Sequence, residues 1–237
     1  DLTQVWKVTP NGQKTIAVPR VHTHELYVDE QDNLYGEHLW FNGERLNTWG
    51  HYVWKYSANG LFEKIIPDRA GFLTDFSFVH DHGGNRYRAD RDRECQTIYR
   101  TSRRGPEELH TRECFGKIGW LSITREGDLI FMQDQHRLRK MDKSGKSKSV
   151  GFIASKGTMG LWDDAAGNIY TATYDDRTVR RFTFKGEMQE VYTTNWPWAP
   201  TGGLAAPNGD LWLLETNPQN EVRVERISKN GVTTIIQ

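Results

Sequence analysis

The sequence has no surplus of either charge: 31 Lys and Arg stand against 31 Asp and Glu over 237 residues. No net field draws such a chain to a polyanion, so nucleic acid is excluded as a first-choice partner and an anionic membrane surface with it. No stretch approaches the roughly 18 uninterrupted apolar residues of a membrane span. No basic-then-apolar leader precedes Asp1, although a chain that starts at a processed end can still be exported. There are only two cysteines, too few for a zinc ribbon or an extensive disulfide framework. Nucleophile elbow, phosphate loop, dinucleotide fingerprint and HExxH are all missing, so those enzyme classes have no support and no nucleotide cofactor is expected.

What is present is a repeat. An eight-residue unit that begins apolar and ends in Gly occurs six times: VWKVTPNG (5–12), VWKYSANG (53–60), IYRTSRRG (98–105), LRKMDKSG (138–145), VRRFTFKG (179–186) and VERISKNG (224–231). Each reads as a strand running into a tight turn, where Gly takes the positive φ that other residues resist. A second unit precedes five of these: DEQDNLY (29–35), DHGGNRY (81–87), TREGDLI (124–130), DAAGNIY (164–170) and APNGDLW (206–212). Turn residues flanked by apolar ones make this an inner hairpin. Two hairpins per repeat give one four-stranded antiparallel blade, whereas a sandwich with regular turns would not alternate two turn types in fixed order.

The expected fold is therefore an all-β propeller in one domain, 1–237, six-bladed, with five blades as the alternative. Whole blades are expected at 21–66, 73–114, 118–153, 159–193 and 200–237, and outer strands alone at 1–18. The sixth inner hairpin is not in the text, so either the first blade is incomplete or a hairpin of about 20 residues lies before Asp1.

PTGGLAAPNGDLWLLE (200–215) and GLWDDAAGNIYTATYDDRTVRRF (160–182) resemble NHL repeats, SMP-30/gluconolactonase-like proteins and virginiamycin B lyase-like propellers. The resemblance covers almost the whole chain and implies a propeller. Its members include divalent-metal lactonases, ring-opening lyases and proteins that only bind. The Pro-Asp-Gly of the calcium lactonases stands here as Pro200-Thr201-Gly202, a departure from their pattern. The lyase-like relatives use His from that tier and Glu from the end of the next strand, which implies roles for His24 and Glu215.

In an antiparallel four-stranded blade the loops entering strand one and joining strands two and three share a face. That places His22, His24, His38, His51 and His136 on one face, with Glu25, Glu37, Asp75, Asp90, Asp134, Asp175 and Glu215, while His80 and His82 fall on the other. These nitrogen and oxygen donors suit a divalent cation, Ca, Mg or Zn, for which His22, His24, Glu37 and Glu215 are the candidate ligands. Glu37 or His38 is the candidate base. The competing reading makes the same residues hydrogen-bonded rim residues.

The segment LWFNGERLNTWGH (39–51) reads as the longest connection between strands two and three. Trp40, Phe41 and Trp49, with Trp196 and Trp198 of NWPWAP, are expected to ring one mouth, where aromatic side chains stack on sugar or other ring ligands. Cys95 and Cys114 flank an outer hairpin almost symmetrically about Arg104-Gly105 and are expected to face each other as a disulfide, which indicates a periplasmic or secreted protein. Two free buried thiols are the alternative.

Three functions follow as expectations. The first is a divalent-metal hydrolase or lyase acting on a small ester, lactone or sugar-derived ring at the His-rich face. The second is a non-catalytic propeller that binds a glycan, peptide or protein, and the third is a structural module of a longer chain. Oligomeric state is not readable from these residues.

Overall fold

The computed structural model describes all residues except 1–3, 10, 22–25, 29–30, 42–48, 65–68, 72–77, 82, 84, 91–93, 103–104, 184 and 237, and the side chains of strand residues 27, 37–41, 49–53, 64, 69–71, 78 and 80. Short turns set the strand lengths. In the turn at Asp142–Gly145, Gly145 has φ +84°, its N–H donates to Asp142 O at 2.9 Å, and the Asp142 carboxylate accepts from Lys146 N at 3.1 Å. The same side-chain brace recurs where Thr9, Ser57, Thr183 and Ser228 accept from the backbone N–H four residues on. A Ser, Thr or Asp three residues before Gly thus fixes these five outer hairpins by offering the backbone a local acceptor, whereas Ser102 is followed four residues on by Pro106, which has no N–H to give.

The chain packs as two compact units, Asp1–Arg86 and Tyr87–Gln237. In the first, β1 (Val5–Val8) and β2 (Lys14–Val18) form a two-stranded antiparallel sheet. Next come β3 (Leu26–Val28), β4 (Leu34–Phe41), β5 (Trp49–Tyr56) and β6 (Phe62–Lys64), neighbours in that order, with β7 (Arg69–Gly71) also paired to β5. The chain order continues through the sheet of β8 (Phe78–His80), β9 (Arg86–Ala89), β10 (Ile98–Thr101) and β11 (Glu107–Leu109).

Three up-and-down sheets complete the second unit. They are β12 (Ile118–Ile123) to β15 (Ser147–Phe152) with β13 (Leu129–Gln133) and β14 (Arg137–Met141) between; β16 (Thr158–Asp163), β17 (Ile169–Thr173), β18 (Thr178–Phe182) and β19 (Met188–Thr193); and β20 (Ala199–Ala205), β21 (Leu211–Thr216), β22 (Val222–Ile227) and β23 (Thr233–Ile236). These are propeller blades. Among the described residues five sheets have four strands or more, the lower of the two counts expected, and β1–β2 forms a separate pair.

One expectation is corrected. Residues 39–41 and 49–51 are strand, not loop, because β4 and β5 stay paired as far as Phe41 opposite Trp49, leaving 42–48 between them. Aromatic residues facing one another across an antiparallel ladder favour continued pairing over a wide loop.

The core of the second unit lies between adjacent blades. Ile130, Met132, Leu138 and Ile153 pack with Leu161, Ile169 and Phe182, and Trp162, Ala172 and Val179 pack with Ala205 and Leu213. Strand β13 is buried at four successive positions, because a second strand is covered on both faces and loses the usual alternation. First strands approach closely: a Cβ on Gly160 would lie 2.8 Å from Gly202 Cα.

Candidate functional site

The two ends of the blades in the second unit are built differently. At one end the turns rest on positive-φ glycines such as Gly127, Gly167 and Gly209. At the other, the connections between strands two and three carry positive φ on side-chain-bearing residues: Asp134 (51°) and Gln135 (66°), Arg177 (57°) and Asn220 (60°). Non-glycine residues in that region cost energy that surrounding contacts must offset. Those contacts are visible. Asp134 Oδ1 accepts from Lys117 N at 2.9 Å, and the Asp175 carboxylate lies 2.8 Å from where a Cβ on Gly157 would sit. Both acids tie the strand-two turn to the loop that enters their own blade.

The end of the second strand, at its last or next-to-last residue, shows a common device. Gln133 and Thr173 accept from the guanidinium groups of Arg139 and Arg180, each at 3.3 Å, and Glu215 Oε2 accepts from Arg223 Nε at 2.5 Å. Glu215 is fully buried, and the Arg223 side chain is 8 % exposed. The cluster continues: Arg223 NH2 lies 3.8 Å from Glu225 Oε2, Tyr192 OH donates to Glu225 Oε1 at 2.8 Å, and Arg223 Cζ sits 4.4 Å from the Trp198 ring centroid. Burial pushes the Glu215 carboxyl above its ordinary range, Arg223 opposing and Glu225 adding to the rise. Tyr192 is raised strongly, by burial first and then by its bond to Glu225. Glu215 Oε1 and Glu225 Oε2 are buried with no hydrogen-bond partner.

The sequence-nominated residues fall unevenly. His22, His24, Glu25, Asp75 and His82 lie outside the described residues. Glu37, His38, Trp40, Trp49 and His51 are placed by backbone alone, with Glu37 opposite Val53, His38 opposite Tyr52 and Trp40 opposite Gly50. Trp196 is 71 % exposed, and Trp198 is half-buried over Arg223. His136 Nδ1 donates to Ile153 O at 3.0 Å. Cys95 and Cys114 are bonded, with Cα atoms 5.2 Å apart, at the mouth of the β10–β11 hairpin.

Among the described residues no three His, Cys, Asp or Glu side chains converge to hold a metal ion. Glu215 does not fit that role in this arrangement, since one oxygen is bonded to a guanidinium and the residue is sealed from solvent. Arg223, Glu225 and Tyr192 were not nominated from sequence. Hairpin register would have found Arg223, which stands directly across from Glu215.

No family model matches the chain, and no curated protein matches it in sequence. Among solved structures it is similar to a streptogramin B lyase (TM-score 0.61, 14 % identity, covering 99 % of this chain and 76 % of that one). It is similar also to virginiamycin B lyase from Staphylococcus aureus (TM-score 0.57, 14 % identity, 98 % and 76 % covered). A gluconolactonase from Xanthomonas campestris gives a TM-score of 0.61 at 13 % identity, with 91 % and 76 % covered. At this identity the likeness establishes the fold, and the chain is a β-propeller.

Proposed function

We propose that the protein opens a small ester, lactone or sugar-derived ring, as a hydrolase or lyase, at the blade end where strands two and three are joined. The observation that carries this reading is the buried Glu215–Arg223–Glu225 array beneath Trp198, a concentration of charged groups at the position where the lyase-like resemblance implies a functional Glu. The names of the similar structures, streptogramin B lyase and gluconolactonase, support a ring substrate. Charged groups kept at zero or low exposure cost several kcal/mol in a fold unless paired, so such an array marks a place where sequence serves more than packing.

Ring opening needs a wall to orient the ring and a group to move a proton. Trp196 and Trp198 are assigned to the wall. In the first unit, taken by itself, Glu37 or His38 is the proposed proton carrier and His22, His24 and Glu37 are the proposed holders of a divalent cation, which when bound would supply polarisation of a carbonyl. The Cys95–Cys114 bond supports an oxidising compartment, periplasmic or extracellular. No helix is long and apolar enough to cross a membrane among the described residues.

The test is a panel of lactones and cyclic esters with purified protein, followed by elemental analysis. Turnover should be lost on chelation and in His24→Ala, and should fall about 100-fold or more in Glu37→Gln or His38→Asn, the range set by general acid–base catalysis. A second reading, a non-catalytic binding propeller, is favoured by the 71 % exposure of Trp196. It predicts no turnover and glycan binding that survives chelation but is lost in Trp196→Ala.

A further inference from the structure

We infer that Glu215 and Arg223 are positioning residues that fix Trp198 as the rigid wall of a site for an uncharged ring, and that Glu215 acts through the guanidinium and not as a metal ligand. The ligand class rests on the ring-opening reading; the packing does not.

The geometry has three parts. Arg223 lies over Trp198, with Cζ 4.4 Å from the ring centroid. Its Nε is pinned edge-on by Glu215 Oε2 at 2.5 Å, which fixes the guanidinium within its own plane. Glu225 stands at 3.8 Å on the far side, itself held by Tyr192 OH at 2.8 Å from the neighbouring blade. A planar guanidinium can stack and hydrogen-bond at its edge at once, which an ammonium cannot do.

The preceding blades show what this clamp does when it serves the fold alone. Arg139 lies over Phe115 with Cζ 5.2 Å from the centroid, and it also takes Gln133 and Glu113. Phe115 sits, like Trp198, in the loop that enters a first strand, but it is fully buried and packs edge-on against Phe131 at 4.9 Å. In the last blade the aromatic is larger and only partly buried, and two residues before it Trp196 stands 71 % exposed. The same device therefore holds an indole that is not sealed in the core. The clamp itself presents little charge, because Arg223 is 8 % exposed and both its carboxylate partners are buried. A wall of this kind suits the C–H face of a neutral sugar-derived ring.

A metal ligand must offer an oxygen to an ion that substrate can reach. Glu215 is fully buried, and its Oε2 is bonded to Arg223. In contrast, a carboxylate that orients a guanidinium needs only what Glu215 has.

The test uses the full chain. The Trp198 signal is isolated as the difference from Trp198→Phe, and acrylamide quenching is measured in Arg223→Lys, Glu215→Gln and the double variant, with bound metal determined by elemental analysis. Each single variant should raise quenching of Trp198 and raise KM for D-glucono-δ-lactone roughly tenfold, with a smaller change in kcat, as expected for loss of a buried cation–π contact. The double variant should add nothing further, and metal content should stay as in the parent. Loss of metal in Glu215→Gln with Trp198 quenching unchanged overturns the inference, as does unchanged quenching in Arg223→Lys. Should Glu215→Gln fail to fold, Arg223→Lys, which keeps the charge, gives the decisive reading. Absence of lactone turnover alongside the quenching change removes the ring-opening reading and leaves the clamp standing.

Discussion

Replacing Cys95 and Cys114 together by Ala should leave the second unit folded but markedly less stable. The bond spans 19 residues and joins the loop between β9 and β10 to the loop that enters β12. Native hydrogen bonds run beside it: Gln96 N donates to Gly116 O at 3.3 Å, Phe115 N to Gln96 O at 3.1 Å, and Ile118 N to Gln96 Oε1 at 2.7 Å. Phe115 is fully buried, so the folded segment is held without the crosslink. The loss therefore falls on the unfolded chain, which regains the entropy of an open loop, about 3 kcal/mol for a loop of this length in the chain-entropy model. For a cooperative unit of 150 to 250 residues, at about 2 to 4 °C per kcal/mol, the midpoint should fall by about 6 to 12 °C. Thermal unfolding followed by tryptophan fluorescence compares the oxidised parent with the double variant, and a thiol titration of the unreduced, denatured parent should find no free thiol. Melting curves that coincide would show that the unfolded chain does not feel the crosslink and would refute the entropic argument.

Three further outcomes are expected. Burial, and then the charge of Arg100, holds His110 below its ordinary value of 6.5, so the folded state binds fewer protons than the unfolded one and stability falls as pH drops through that value. His110→Phe should flatten this acid limb in urea midpoints taken at pH 7 and pH 5.5, and parallel profiles would refute it. Gly160→Ala puts a Cβ 2.8 Å from Gly202 Cα and Thr201 O and should cost about 1 to 3 kcal/mol by denaturant titration, whereas Gly202→Ala meets nothing within 4 Å and should be near neutral. Tyr192→Phe removes the donor to buried Glu225 and should cost about 1 to 3 kcal/mol, with equal stability of the two proteins as the contrary result.

The blades were legible because their turns are chemical. Gly145, Gly186 and Gly231 take the positive φ that their places in the repeat demand, and a Ser, Thr or Asp three residues earlier braces each turn. The turns at the other end were not legible. Asp134, Gln135, Arg177 and Asn220 carry positive φ without a glycine to announce it, because tertiary contacts such as Asp134 with Lys117 N support them. The stretch 39–51 reads in sequence as a connection between strands two and three, while β4 and β5 stay paired as far as Phe41 opposite Trp49, a pairing that depends on partners distant in sequence. Glu215 was nominated, but the partner that defines its role was missed, since Arg223 lies eight residues on and meets it only across the β21–β22 register.

That register also explains why the last blade is the place to look. The second residue of the repeated outer unit is Arg139 in one blade and Arg180 in the next, and each guanidinium binds the residue that ends its own second strand. In the last blade the same column holds Glu225, and the arginine stands two residues earlier, at Arg223. Moving the cation this way brings two carboxyl groups, those of Glu215 and Glu225, against one buried guanidinium, and sets that guanidinium on a partly buried indole. The column is not Arg throughout, being Trp6, Trp54 and Tyr99 in the first three copies, so the contrast is with the two copies before the last. There the carboxylate partners of Arg139 and Arg180 are 28 to 58 % exposed, whereas Glu215 and Glu225 are 0 % and 6 % exposed, so the last blade alone of these three carries the desolvation cost of two buried carboxyl groups around one guanidinium.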